Sequence, residues 1–415
     1  MPPTCGPACP PSCRAAGCSA GRARSTAPTG CAPPRPTPTA GACRAGHGPT
    51  CCRTTSAPST TSTSATHRGT ATAARCRSAA RADPAAPRGR PLPGRGRAAR
   101  RPRRAGQDAG GPPGAGLVPS NSLDGVRVSA AQAYLGRERP NLVVRTGAPV
   151  ARVLVDGGRA AGVVLLDGTV VEAGEVVLAA GAVGSPHLLL LSGIGPPDDL
   201  RAAGVPVVRE LPDVGRGWSD HPAVHVPFTA ADPPAHPHAP GSQAAVDLDA
   251  GADPAGDVEV LLFVRPFVPG GELHLMCALQ HPDSRGTLTL TSPDPRAPGS
   301  AYGYLRTEHD RRRLRHAVRT AAELLRAGLG TRAAPGGDVL GTDRDLDAWI
   351  DAHLTTSVHL SGSAALGPVV DAALRVHGVD GLRVADTSVL PVVPRRGTAA
   401  TAVAIGEKAA DLLTA

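Results

Sequence analysis

Histidine is the side chain whose ordinary pKa lies nearest neutrality, and a neutral imidazole within reach of a hydroxyl can take its proton near pH 7. His359, in the run His-Leu-Ser-Gly-Ser-Ala-Ala-Leu-Gly that ends at Gly367, is one of the chain's 14 histidines. A single histidine is, without context, more often structural than catalytic. The other groups read as structural. His236 and His238 sit in a Pro-rich loop, Asp220-His221-Pro222 marks a crossing between domains, and Cys277 is a strand residue whose thiol packs. No spacing of His, Cys, Asp and Glu marks a metal centre.

The elements that would position this chemistry are legible. Gly181 to Gly195 reads Gly-Ala-Val-Gly-Ser-Pro-His-Leu-Leu-Leu-Leu-Ser-Gly-Ile-Gly and follows the apolar run Glu175 to Ala180. Val176, Val177 and Leu178 predict a buried strand, and Gly181 its tight exit. Ser185 is expected as N-cap, Pro186 at the first helical position, and Ser192-Gly193 as the stop. A strand-to-helix turn of this kind points backbone N–H groups at whatever lies above the sheet. Leu188 to Leu191 read as core. Upstream, Asp124 to Gly136 predicts a short helix, and Asn141 to Ala173 predicts strands joined by turns at Asp156-Gly157 and Asp167-Gly168.

After His221 the pattern becomes one of separated strands, at 258–264, 272–279 and 287–291. A helix follows, with Thr307 and Asp310 as a capping box and Leu314, Ala317, Val318, Ala321, Leu324 and Leu325 on one face. Arg311, Arg312 and Arg313 read as its solvated side. Compact α/β text returns at the end, with a strand from Leu382 to Ala385 and a helix from about Thr398 to Leu413.

Residues 1–116 differ in kind. They hold 18 Arg and two Asp, hence +16, while the other 299 residues carry −7, so the net +9 belongs to this segment. Nine of the ten cysteines lie between Cys5 and Cys76, and the first aromatic residue is Tyr134. Such a composition buries too little apolar area to offset chain entropy, and disorder is expected. A basic nucleic-acid arm would need aromatic interleaving or a binding motif; a disulfide or metal module would need paired CxxC units; a plain disordered tail is permitted. A fourth reading fits the inventory of Ala, Pro, Gly, Arg, Ser, Thr and Cys. With a single lysine, Lys408, the gene is GC-rich, and residues up to about 112 read as out-of-frame translation. No run of 18 apolar residues predicts a membrane span. One cysteine in the remaining chain fits a cytoplasmic setting.

Five runs carry a resemblance: Arg127 to Leu135, Arg139 to Leu154, Gly181 to Gly195, Leu211 to Pro222, and Arg375 to Pro391. Together, and in order, they resemble the glucose-methanol-choline (GMC) family of FAD-dependent oxidoreductases, from about residue 117 onward. The resemblance implies a mixed α/β fold: an FAD-binding domain from 117–221 and 356–415, with an antiparallel-sheet substrate domain, 222–355, inserted. It implies oxidation of the CH–OH group of a small-molecule alcohol, choline dehydrogenase-like, with hydride passing to flavin and His359 as base. The acceptor could be oxygen, a quinone or a mycofactocin-type carrier, since Pro394 to Glu407 is similar to a mycofactocin-associated subgroup. Val150, Gly181, Ala182, Ser185, Asp386, Thr398 and Ala399 are implied as cofactor-binding.

Two departures qualify the likeness. The family's second active-site residue, an Asn or His, falls on Gly397, which removes a hydrogen-bonding partner for the substrate oxygen. A positive φ at Gly397 would resist Asn there, and Arg395 and Arg396 could hold reduced flavin's charge or an anionic substrate. The strand, GxGxxG turn and helix that cradle the FAD pyrophosphate are missing, Gly94-Arg-Gly96 being a chance string. An incomplete remnant unable to hold FAD, and a basic-tailed interaction protein, are the alternative functions.

Overall fold

The computed structural model describes residues 112–414, except Asp124, 231–239 and 295–297. The readings placed on residues 1–111, including the nine cysteines and Gly94-Arg-Gly96, lie outside the described residues, as do His236 and His238.

The Gly181 motif forms the expected strand and helix, with a shifted start. Strand Val176–Leu178 pairs in parallel with Leu382–Val384, Val176 opposite Leu382. The helix spans Gly181–Leu191 with Ala180 as N-cap, so Ser185 and Pro186 lie inside it and do not cap it. Gly181 makes the sharp exit at φ +80, where side chains with a Cβ are disfavoured. Pro186 has no N–H to donate to the carbonyl of Ala182 one turn back. The Ser363 hydroxyl donates to that carbonyl instead, which is why the proline is accepted within the helix. Leu189 and Leu190 have no exposed surface.

Beside this unit, Val150–Asp156, Arg159–Leu165 and Val170–Glu172 form an antiparallel meander. Its first turn is Gly157-Gly158, both at positive φ. That is one residue beyond the expected Asp-Gly pair, as a two-residue primed turn requires. The Ser192 hydroxyl accepts from the Val153 N–H at 2.8 Å, tying meander to helix. The helix expected over 124–136 is only Ala130–Leu135, started by a Ser129–Gln132 capping box. Ahead of it, Ser122–Leu123 and Val126–Arg127 pair around Gly125.

The expected strands at 258–264 and 272–279 are Val258–Phe263 and Leu273–Leu279. They lie in a seven-stranded sheet with Ala115–Leu117, Ser242–Leu248, Pro222–Ala230, Gly330–Arg332 and Thr355–Thr356, every pairing antiparallel. The third, Gly286–Leu290, pairs elsewhere, with Arg216–Trp218 and Pro298–Ala301. Helix Glu308–Leu324 covers one face of the large sheet, burying Leu314, Ala317, Val318 and Ala321 against Val224, Val226 and Phe228. Thr307 caps it by accepting from the Asp310 N–H. The Asp310 carboxylate does not return the bond; it accepts from Ser284 and Arg313. Arg313, expected in solvent, is fully buried. Its cost is offset by Asp257, Asp310 and the His281 carbonyl, the pairing that a buried guanidinium requires. The C-terminal helix is Ala399–Thr414. Among the described residues no helix is long and apolar enough to cross a membrane.

Period-two alternation decides what the face of the large sheet opposite the helix presents. Ala223 and His225 on one strand, Met276 and His274 on the next, and Leu261 and Phe263 on the third point away from the helix. His221 stands at the head of that row.

Candidate active site

Asp386 follows strand Leu382–Val384 and reaches across to the neighbouring strand exit. One carboxylate oxygen accepts from the Gly181 N–H at 2.9 Å and from the Ser185 hydroxyl, and the other accepts from the Ser388 N–H at 2.8 Å. Ser185 in turn accepts from the Ala180 N–H at 3.0 Å. Four of the implied cofactor residues, Gly181, Ala182, Ser185 and Asp386, therefore meet at one turn, but the polar groups of Gly181, Ser185 and Asp386 are spent on one another. Ser185 is fully buried and holds the turn. Gly181 itself is open: a Cβ there would meet nothing within 4 Å. Val150 opens the first strand of the meander, opposite Leu165.

His359 is held from both of its ends. Its backbone N–H donates to Asp220 at 2.7 Å, and its Nδ1 lies 3.0 Å from Nδ1 of His221, the rings meeting edge to face at 81°. The other oxygen of Asp220 accepts from the hydroxyls of Tyr304 and Thr356. Val358, just before His359, is a β-branched residue at φ +62, a conformation that costs of order 1–3 kcal/mol. It is held there by its N–H donating to Thr356 at 2.8 Å. The far edge of the imidazole faces Gly397, where a Cβ would sit 3.5 Å from Nε2 and 3.8 Å from Cε1. The two residues expected to share the site are thus neighbours.

Burial pushes the His359 pKa below the usual histidine value, against the opposing pull of the Asp220 carboxylate. His221 is fully buried and is depressed to about 3, by desolvation first and by His359 second. Both rings are neutral near pH 7. Tyr304 is pushed up by burial and by Asp220, so it stays a hydroxyl donor.

Gly397, Thr398 and Ala399 form the start of the 399–414 helix, whose first turn carries no acidic residue. Unpaired N–H groups at a helix start favour negative charge. Gly397 is not at a positive φ, so the expected backbone objection to Asn does not hold. Arg395 and Arg396 are engaged by Asp253 and Asp247 respectively. They tie this loop to the large sheet, which overturns their reading as charges waiting for an anion. On the sheet face opposite the helix, His225, His274, Phe263 and Phe267 form an aromatic cluster, with Phe267 and His274 stacked at 4.7 Å.

Asp220 and His221 read as a structural crossing in the sequence, yet both bond His359, and Tyr304 and Thr356 support it through Asp220. Adjacent Asp and His before a Pro was the only local signal. Their partner lies more than a hundred residues away in sequence.

The chain is similar to known proteins. Models described as GMC oxidoreductase match residues 98–223 and 282–406, beginning earlier than the expected residue 117. The chain is 37% identical to the "Uncharacterized GMC-type oxidoreductase in thcA 5'region" of Rhodococcus erythropolis, over 72% of this chain and 62% of that protein. It is 34% identical to an oxygen-dependent choline dehydrogenase of Burkholderia thailandensis, over 69% of this chain and 59% of that protein. The crystal structure of pyridoxine 4-oxidase from Mesorbium loti superposes with TM-score 0.68 at 31% identity, covering 75% of this chain and 66% of that one. The chain spans about three-fifths of the length of the two sequence relatives.

Proposed function

The chain belongs to the GMC oxidoreductase family, and from that premise we propose that it oxidises the CH–OH group of an alcohol with FAD, His359 taking the hydroxyl proton. The observation that carries this is the setting of His359. Nδ1 is bonded inward to His221, while Nε2 faces Gly397 and the acid-free start of a helix.

The residues present fit the flavin-ring side of FAD, the family's cofactor. Gly181 leaves open space at a helix start, and the first turn at 399 favours an electron-rich edge. The pyrophosphate side is different: no strand, GxGxxG turn and helix occur among the described residues. FAD, when bound, supplies the hydride acceptor. His359 removes the hydroxyl proton at Nε2 and becomes an imidazolium whose Nδ1 side stays bonded to His221. Asp220 offsets the charge of that cation and fixes its backbone. The sheet face opposite the helix, with His225, Phe263 and His274, forms the wall against which the alcohol's carbon skeleton packs. On this reading 117–221 and 356–415 make the cofactor side, and 222–355 the substrate side, of a cytoplasmic enzyme, with the strands Gly286–Leu290 and Pro298–Ala301 packed on the cofactor side.

A second reading, a remnant that does not retain FAD, is favoured by the absence of a pyrophosphate turn among the described residues. Purifying the full chain, adding FAD, desalting and recording the flavin absorbance separates the two. Retained flavin that bleaches on adding an alcohol supports the enzyme, and recovery of the band in air would identify oxygen as acceptor. Loss of all flavin on desalting supports the remnant.

A further inference from the structure

A base must present a lone pair, and a neutral imidazole has only one. Which nitrogen of His359 carries the proton is therefore decided by its Nδ1 partner. In many sites a carboxylate makes that choice. Here it does not, because Asp220 accepts from the His359 backbone N–H, Tyr304 and Thr356 and makes no bond to the imidazole. The ring's partner is His221, Nδ1 to Nδ1 at 3.0 Å.

We propose that His221 is a positioning residue that holds His359 in the tautomer protonated on Nδ1, which leaves the Nε2 lone pair facing Gly397. Two neutral imidazoles joined through their Nδ1 atoms share one hydrogen, so there are two arrangements. In one, His359 Nδ1–H donates to His221, and His221 carries its own proton on Nε2. In the other, His221 Nδ1–H donates to His359, and His359 Nε2 carries a proton and cannot accept another. Only the first leaves Nε2 of His359 free to take a hydroxyl proton, as the reading of His359 as the base requires. The remaining charged neighbour, Arg396, disfavours a second proton on His221, so His221 accepts from His359 without becoming a cation. When Nε2 takes a proton from a hydroxyl, the new N–H forms at Nε2, the O–H bond breaks, and the Nδ1–H stays in place.

This rests on the reading of His359 as the base, but its test does not need turnover. Nitrogen-15 NMR of the full chain with labelled histidine, His359 assigned by comparison with His359→Gln, reads the tautomer directly. The unsubstituted chain is expected to show a protonated Nδ1 and an unprotonated Nε2 for His359 above the pH at which the ring charges. In His221→Leu, which offers no acceptor, the proton should move mainly to Nε2, the site that free histidine prefers. His221→Asn, whose amide oxygen can accept, should keep it on Nδ1. A protonated Nε2 in the unsubstituted chain overturns the proposal even if the variants fail to fold, and so does an unchanged tautomer in a folded His221→Leu chain. If His359→Ala turned over at full rate while the tautomer was as proposed, the base assignment alone would fall.

Discussion

His359 owes its proton affinity to two opposing effects, burial lowering it and the Asp220 carboxylate raising it, with burial the larger. A base works only while neutral, so the depressed pKa moves the acid limb of activity downward. In flavin-loaded protein, kcat/KM should hold its plateau to below pH 6.5, the ordinary histidine value, before it falls. His359→Ala should lower kcat by roughly two to four orders of magnitude with flavin content unchanged; full turnover in that variant would remove the base assignment. Gly397→Asn is expected to fold normally. The added Cβ makes ordinary contact with His359, and no positive φ stands in the way. It would restore an amide beside the substrate oxygen, so turnover of simple primary alcohols should rise. An unfolded Gly397→Asn protein, seen by circular dichroism, would show that the loop has no room.

At the scale of elements, the site depends on carboxylates that staple distant segments. Asp386 joins the Leu382–Val384 strand to the first turn of the Gly181–Leu191 helix, and Asp220 joins the sheet's entry to the segment that carries His359. Replacing Asp386 with Ala would leave the Gly181 and Ser388 N–H groups and the Ser185 hydroxyl without their acceptor. Each orphaned buried donor costs about 1–3 kcal/mol, and partial rescue by water brings the expected loss to about 3 kcal/mol. Urea unfolding measures it. A loss below about 0.5 kcal/mol would mean that the turn is held by packing of Leu189 and Leu190 instead.

For the whole molecule, neutral buried and half-buried histidines set the acid limit. His221, depressed to about 3, is joined by His187, His225, His274 and His359, all shifted downward chiefly by burial. Between a folded pKa near 3 and an unfolded value near 6.5, the unfolded chain binds the extra proton. Stability therefore rises with pH across this window and is lost as pH falls through it, by up to about 1.4 kcal/mol per pH unit for His221 alone. The urea midpoint should be lower at pH 5 than at pH 7, and His221→Asn should flatten that slope whatever it does to the absolute stability. An unchanged slope would mean that His221 is not neutral in the folded chain.

The parts of this protein that rest on neighbouring residues were readable from the chain alone. The Val176–Leu178 strand, the leucine-rich helix and the buried face of the 308–324 helix follow from periodicity, glycine and local text, because those forces act within a few residues, whereas the choice of His359 rests on the family resemblance. What the tertiary structure decided is which polar groups meet. Ser185 reads as a cap but is a buried strut, since Asp386 arrives from two hundred residues on. Arg313 reads as solvated but is buried, since Asp257 arrives from the sheet. His221 reads as a crossing but touches the imidazole of His359. Periodicity reports which side of an element is apolar. It says nothing about which distant charge or hydrogen-bonding partner will make a polar group affordable inside, and the chemistry of this site depends on those partners.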